Sequence, residues 1–152
     1  MKKLVFVYFG LASLFVFLNA CNKSSANFNQ NEKLLSNQSW IVVSIRQNTN
    51  NGGWVDIFSA LPTCKRDNRT FFKTDYSIII DEGITKCNGT DPQSNHYGAW
   101  SLSTDGEKIT TTNSSGISTE MDVHQLDNSN FTTFKNYTSG TDTVMIETRY
   151  IH

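Results

Sequence analysis

Residues 97–112, Tyr97-Gly98-Ala99-Trp100-Ser101-Leu102-Ser103-Thr104-Asp105-Gly106-Glu107-Lys108-Ile109-Thr110-Thr111-Thr112, decide the fold class. Two runs rich in aromatic and β-branched side chains flank Asp105-Gly106, where glycine supplies the positive φ that a tight hairpin turn demands. Trp100 and Leu102, two positions apart, fall on one face of the first strand. The pattern repeats downstream. Strands are expected at about 118–126, 130–137 and 142–151, separated by Asp127-Asn128 and Ser139-Gly140. Met121 and Val123 share a face there, as do Val144 and Ile146. Leu126 is out of phase with the first pair, which calls for a bulge between residues 123 and 126.

Upstream, residues 70–73 and 75–81 supply two more strands, with Tyr76, Ile78 and Ile80 on one face. Asp81-Glu82-Gly83 turns the chain, and residues 88–96 read as a polar loop containing Gly89 and Pro92. From Ser39 apolar residues occupy both faces of an alternating run that ends in an Asn-rich turn with Gly52 and Gly53. Residues 54–58 form a short second strand, and residues 59–68 form an irregular connection. After residue 36 alanine occurs only at Ala60 and Ala99, a composition that disfavours long helices. Residues 31–37 make at most one helical turn, placing Leu34 and Leu35 against the domain. The expected fold is all-β: an antiparallel up-and-down barrel of about eight strands, closed to remove its edges, with a short N-terminal helical turn.

The first residues read as an export leader. Lys2 and Lys3 precede a stretch, residues 4–18, that is apolar except for Tyr8, Gly10 and Ser13. A transmembrane helix needs about 20 apolar residues, so this run is short for a span. Leu18-Asn19-Ala20-Cys21 resembles the bacterial lipobox, in which the cysteine is acylated and becomes the new amino terminus. The resemblance implies a signal peptide at residues 1–20 and a bacterial lipoprotein held to a lipid bilayer through Cys21, with palmitate-type acyl chains. Residues 21–32 then form the lipidated terminus and a polar tether, and residues 33–152 form a single domain. Asn22 and the absence of an acidic run over residues 22–27 favour the outer membrane, facing the periplasm.

Loss of Lys2 and Lys3 with the leader lowers the 13 basic residues to 11 against 14 acidic ones, a formal charge of −3. That balance offers no footprint for nucleic acid. Lys65, Arg66 and Arg69 are interrupted by Asp67 and read as a solvated turn rather than a lipid-binding tract. His96, His124 and His152 show no metal-ligand spacing, with His124 on the outer face of its strand, so neither a metal nor a cofactor is expected. No G-x-S-x-G elbow occurs, and Asp81-Glu82 reads as a turn rather than a catalytic pair; a non-enzymatic protein is expected.

The order and spacing of several segments resemble the lipocalin-like lipoprotein domains of Bacteroidetes-type bacteria. The carriers are Leu34-Leu35 and Ser39-Trp40, Cys64-Lys65-Arg66-Asp67-Asn68 ahead of Phe71, Cys87 after a hydrophobic strand, Gly98-Ala99-Trp100-Ser101-Leu102 before Asp105-Gly106, and the spaced Met121, Val123 and Leu126. The resemblance spans roughly residues 33–151 and implies a small barrel with a helical plug. It also implies a basic partner for Trp40, and Arg149 stands at a suitable place for a cation–π contact. In an exported chain Cys64 and Cys87 are expected to form a disulfide, leaving Cys21 for lipid. Asp142-Thr143-Val144 resembles the O-glycosylation sequon of the same bacteria.

Two functions remain open. One is a non-catalytic binding module whose barrel takes a small apolar ligand, lined by Trp40, Tyr76, Ile78, Trp100, Leu102, Phe131 and Ile146. The other is an envelope protein-interaction or inhibitor module with a filled barrel, working through residues 46–68 and 87–97. Eight-stranded barrels support both, since their interiors either hold a small ligand or are filled by their own side chains.

Overall fold

The computed structural model describes residues 29–152; the expected leader and the expected lipid attachment at Cys21 lie outside the described residues. Helix α1 (Gln30–Ser36) precedes nine strands: β1 (Ser39–Thr49), β2 (Trp54–Asp56), β3 (Arg69–Phe72), β4 (Ser77–Asp81), β5 (Ser94–Leu102), β6 (Lys108–Asn113), β7 (Ser118–Leu126), β8 (Asn130–Ser139) and β9 (Asp142–Ile151). Each strand pairs antiparallel with its neighbour from β3 through β9, and β9 returns to β1. The result is a closed barrel of eight strands, with β2 added at one side. One edge of β1 is shared: Ser39–Ile41 pair with β3, whereas Arg46, Gln47 and Asn48 pair with β2. Its other edge runs along β9.

Bulges bend the wall where the sequence pattern slips. The β7–β8 register shifts between Val123 and Gln125, as the phase of Leu126 requires. A second shift, between Ile78 and Ile79, leaves Tyr97 unpaired in β5. Next to it Gly98 lies so close to β6 that a Cβ would sit 1.9 Å from the Thr112 carbonyl oxygen, so only glycine fits. The strand begins at Ser94, inside the stretch expected to be loop, because residues 94–96 complete the ladder with β4.

One end of the barrel is plugged. Asn29 caps α1 in a reciprocal box with Glu32, and the helix lays Leu35 wholly inside the core. Seven residues would not hold a helix in water; docking does. The helix and its cap occupy residues 29–36 and so overlap the end of the stretch expected to be tether. Trp40 Nε1 donates to the Leu35 carbonyl at 3.0 Å, tying the plug to the first strand. Around it pack Phe72, Ile78, Trp100, Ile109 and Phe131, all buried. Rings meet edge-on or tilted, with Trp40 5.6 Å from Phe131 and Phe72 5.7 Å from Trp100. Residues 29–152 thus contain a buried core, a closed sheet and both halves of a disulfide.

The Trp40–Arg149 pairing does not form. β8 and β9 pair without a shift, and Tyr150 turns inward to stack on Phe131 at 4.9 Å. Its neighbour Arg149 must then point outward, where its Nε lies 3.7 Å from a Glu147 oxygen. Tyr150, rather than a cation, closes the aromatic cluster that holds Trp40.

Candidate functional site

Alternation along β8 sets up the interior. Phe131, Thr133 and Lys135 share the inward face, with Phe131 toward the plug and Lys135 about 13 Å further along at strand rise. The neighbouring strands change character over the same distance. Near the plug they contribute Phe72, Ile78, Ile109 and Trp100. Beyond it they contribute Thr70 from β3, Thr111 from β6 and Thr119 from β7, the last two directly opposed across the ladder. Threonines do not fill a barrel that tryptophans fill, and a cavity of about 320 Å³ remains. Its floor is Phe72, Ile78, Ile109 and Phe131, and its walls include Ile80 and Met121. Tyr97, Lys135 and Tyr150 complete the lining. This volume lies at the lower end of the range of small-molecule pockets, about 300–1,000 Å³.

The polar groups facing the cavity are largely free. Among the described residues, the hydroxyls of Thr70, Thr111, Thr119, Tyr97 and Tyr150 have no hydrogen-bond partner, and Lys135 has no carboxylate partner. The Lys135 ammonium sits 5.7 Å from the Tyr137 ring centre. Burial, with a lesser contribution from Tyr97, pushes the Tyr150 phenol up to about 12, so it stays a neutral donor. A shallower depression of about 450 Å³ adjoins the cavity at Ile80 and Tyr97 and is lined by Lys65, Asn68, Glu82, Asn95 and His96.

The loops beside this depression are fastened together. Cys64 and Cys87 form a disulfide, joining the β2–β3 connection to the β4–β5 loop. Asp67 accepts from the backbone amides of Ile84 and Thr85, each at 2.9 Å, and these bonds hold its carboxyl below the usual carboxylate range. Arg66 donates to the carbonyls of Leu61 and Ser59. The stretch expected to be a solvated turn is therefore the fastening of the loops, and Gly83 has no room for a side chain because Asp67 lies against it. Asp81 does similar work, accepting from Gly83, Gln93 and Ser94.

Of the ligand-lining residues expected from sequence, Ile78 and Phe131 reach the cavity. Trp40 and Trp100 are buried beneath it, and Leu102 packs beside them. Tyr76 turns to the plug, where its ring lies 5.3 Å from Trp100 and its hydroxyl is 3.3 Å from Glu32. Ile146 is half-buried outside the lining. The correction has one cause: the large side chains chosen for a lining are the ones that pack shut. Smaller Thr111 and Thr119 leave the space. Lys135 carries a signal in retrospect, being in phase with inward Phe131 and Thr133. Among the described residues no group of His, Cys, Asp or Glu is arranged to hold a metal.

Fold and site together define a plugged, closed up-and-down barrel with a partly hollow interior. No protein-family model matches the chain, and no curated protein matches it.

Proposed function

We propose that the protein is an exported lipoprotein, anchored through Cys21 to the outer membrane facing the periplasm, whose barrel takes one small apolar ligand without transforming it. The observation that carries the binding reading is the cavity of about 320 Å³ with an apolar floor, set in the half of the barrel away from the plug. The lipobox-like Leu18-Asn19-Ala20-Cys21 supports the anchor, and the Cys64–Cys87 bridge supports an oxidising compartment. Native mass spectrometry of the barrel isolated from cells is expected to show a single small adduct that is lost when Thr111 and Thr119 are replaced by leucine. An adduct-free barrel would count against the reading. Replacing Cys21 by alanine is expected to release the protein from the membrane fraction; retention would overturn the anchor.

A second reading, an envelope protein-interaction module, rests on apolar side chains exposed on β2 and on the β4–β5 and β6–β7 connections. Ile84 is 97% exposed, Ile117 65% and Val55 62%. Crosslinking from these positions to one stable partner would favour it. Thr143, at an exposed strand start, is the proposed O-glycan acceptor; an intact mass that equals the polypeptide plus lipid would remove that modification.

A further inference from the structure

We infer that the barrel is selective for a small monoanionic amphiphile, an apolar carboxylate of about ten non-hydrogen atoms, whose charge is received by Lys135. The inference rests on the proposed binding role and specifies the ligand's chemistry.

Three observations converge on it. The first is charge. Lys135 is the lone cation in the cavity lining, and the lining holds no carboxylate. Most charged pairs in the described structure are on outer surfaces, as Lys108 is with Glu120 and Asp122. Lys135 lines the cavity without an acid partner, and the contact of its ammonium with the Tyr137 ring, 5.7 Å to the centre, uses none of its hydrogen-bond donors as a carboxylate would.

The second is the gradient along the barrel. The floor of Phe72, Ile109 and Phe131 offers only carbon, while Thr111, Thr119 and Lys135 offer hydroxyls and a cation further along. A ligand matching both zones has an apolar body and a single polar head. A neutral hydrocarbon would leave Lys135 and the threonine hydroxyls facing apolar surface, which is unfavourable. A cation would meet Lys135 directly.

The third is size. At roughly 30 Å³ per small group at liquid density, a cavity of about 320 Å³ holds about ten non-hydrogen atoms. That matches a medium-chain or a small aromatic carboxylate, whereas a long-chain lipid would have to extend beyond this cavity into the adjoining depression.

Calorimetry on the purified protein with octanoate, 1-octanol, octylamine, phenylpropanoate and palmitate separates the possibilities. Octanoate is expected to bind one per barrel, about tenfold or more tighter than 1-octanol, as a charge-assisted hydrogen bond implies. Octylamine is expected not to bind. Lys135→Met is expected to abolish the preference for octanoate over 1-octanol while leaving the melting temperature in place. The ratio of octanoate to phenylpropanoate affinity tells an aliphatic from an aromatic carboxylate, either of which supports the inference. Equal binding of octanoate and 1-octanol, or an unchanged preference in Lys135→Met, would overturn the anionic head while leaving the binding role intact. Palmitate binding more tightly than octanoate would overturn the size limit. Failure of every compound to bind would overturn the binding role itself.

Discussion

The two ends of this barrel are built from the same strands and differ in what those strands point inward. At the plugged end Trp40, Phe72, Trp100 and Phe131 interlock beneath Leu35, and hardly any of their surface meets water. Toward the other end the inward positions include Thr70, Thr111, Thr119 and Lys135 beside Ile80 and Met121, and space is left between them. Close packing and open space are thereby divided along one axis. The packed end supplies the apolar burial that holds the sheet closed, at about 25 cal/mol per Å². This leaves the other end free to carry side chains too small or too polar to make a core.

The largest effect expected from this contrast is at Trp40. Truncation to alanine removes a fully buried ring together with its hydrogen bond to Leu35, and should cost about 4 kcal/mol in denaturant unfolding. A loss under about 1 kcal/mol would mean that the plugged end is not the stabilising one. Next comes the disulfide. Replacing Cys64 and Cys87 by alanine should cost about 3 kcal/mol by the chain-entropy argument for a loop of this length. It should also open the β4–β5 loop to protease before the barrel unfolds. Simultaneous loss of loop and barrel would show that the fastening belongs to the global core.

A third perturbation lies on the outer wall. Glu147 is 6% exposed, bonded to Arg46 and close to Arg149, while Arg46 lies over Trp54. Glu147→Ala should cost about 2 kcal/mol, less than for a wholly buried pair because Arg46 stays partly in water. Restoring near-native stability in Arg46→Leu/Glu147→Leu would confirm that the loss comes from an orphaned charge.

Smaller shifts come with pH. The Tyr150 phenol is raised from 10.0 to about 12, so its contribution to stability is complete below pH 10 and is lost as pH rises toward 12. Tyr76 is raised as well, by burial and by Glu32, and absorbance at the tyrosinate band should lose a late-titrating phenol in Tyr150→Phe. Asp67, Asp81 and Asp127 are all lowered from 3.8 by hydrogen bonds, so what they contribute is present above that value and fades as pH falls through their lowered values. Acid should therefore loosen the loops they fasten before it unfolds the plugged end, which proteolysis at pH 3 against pH 6 would reveal.

Most of the barrel was legible because its signals are local. Asp105-Gly106, the period-two runs and the phase slip at Leu126 each constrain a strand without reference to the rest of the chain. The site was less legible because it depends on what distant strands leave empty. Thr111 and Thr119 are ordinary strand residues until β6 and β7 are set beside each other in a closed barrel. Tyr97 enters the lining only through a bulge, and that bulge depends on register with β4. Trp40 and Trp100 misled for the complementary reason: ring size predicts burial, and burial here means filling the floor. Arg66 and Asp67 looked like solvated charge because their partners, the carbonyls of Ser59 and Leu61 and the amides of Ile84 and Thr85, carry no sequence signature.

The smallest stability change and the largest functional one should coincide at the same residues. Thr111→Leu/Thr119→Leu adds apolar volume to space already present, and its unfolding free energy should stay within about 1 kcal/mol of the parent. Calorimetric titration of that variant and of the parent with 1-octanol is the most direct test of a hollow, ligand-taking half. The account predicts one octanol per parent barrel and none in the filled variant. Equal binding in both, or none in either, would contradict it.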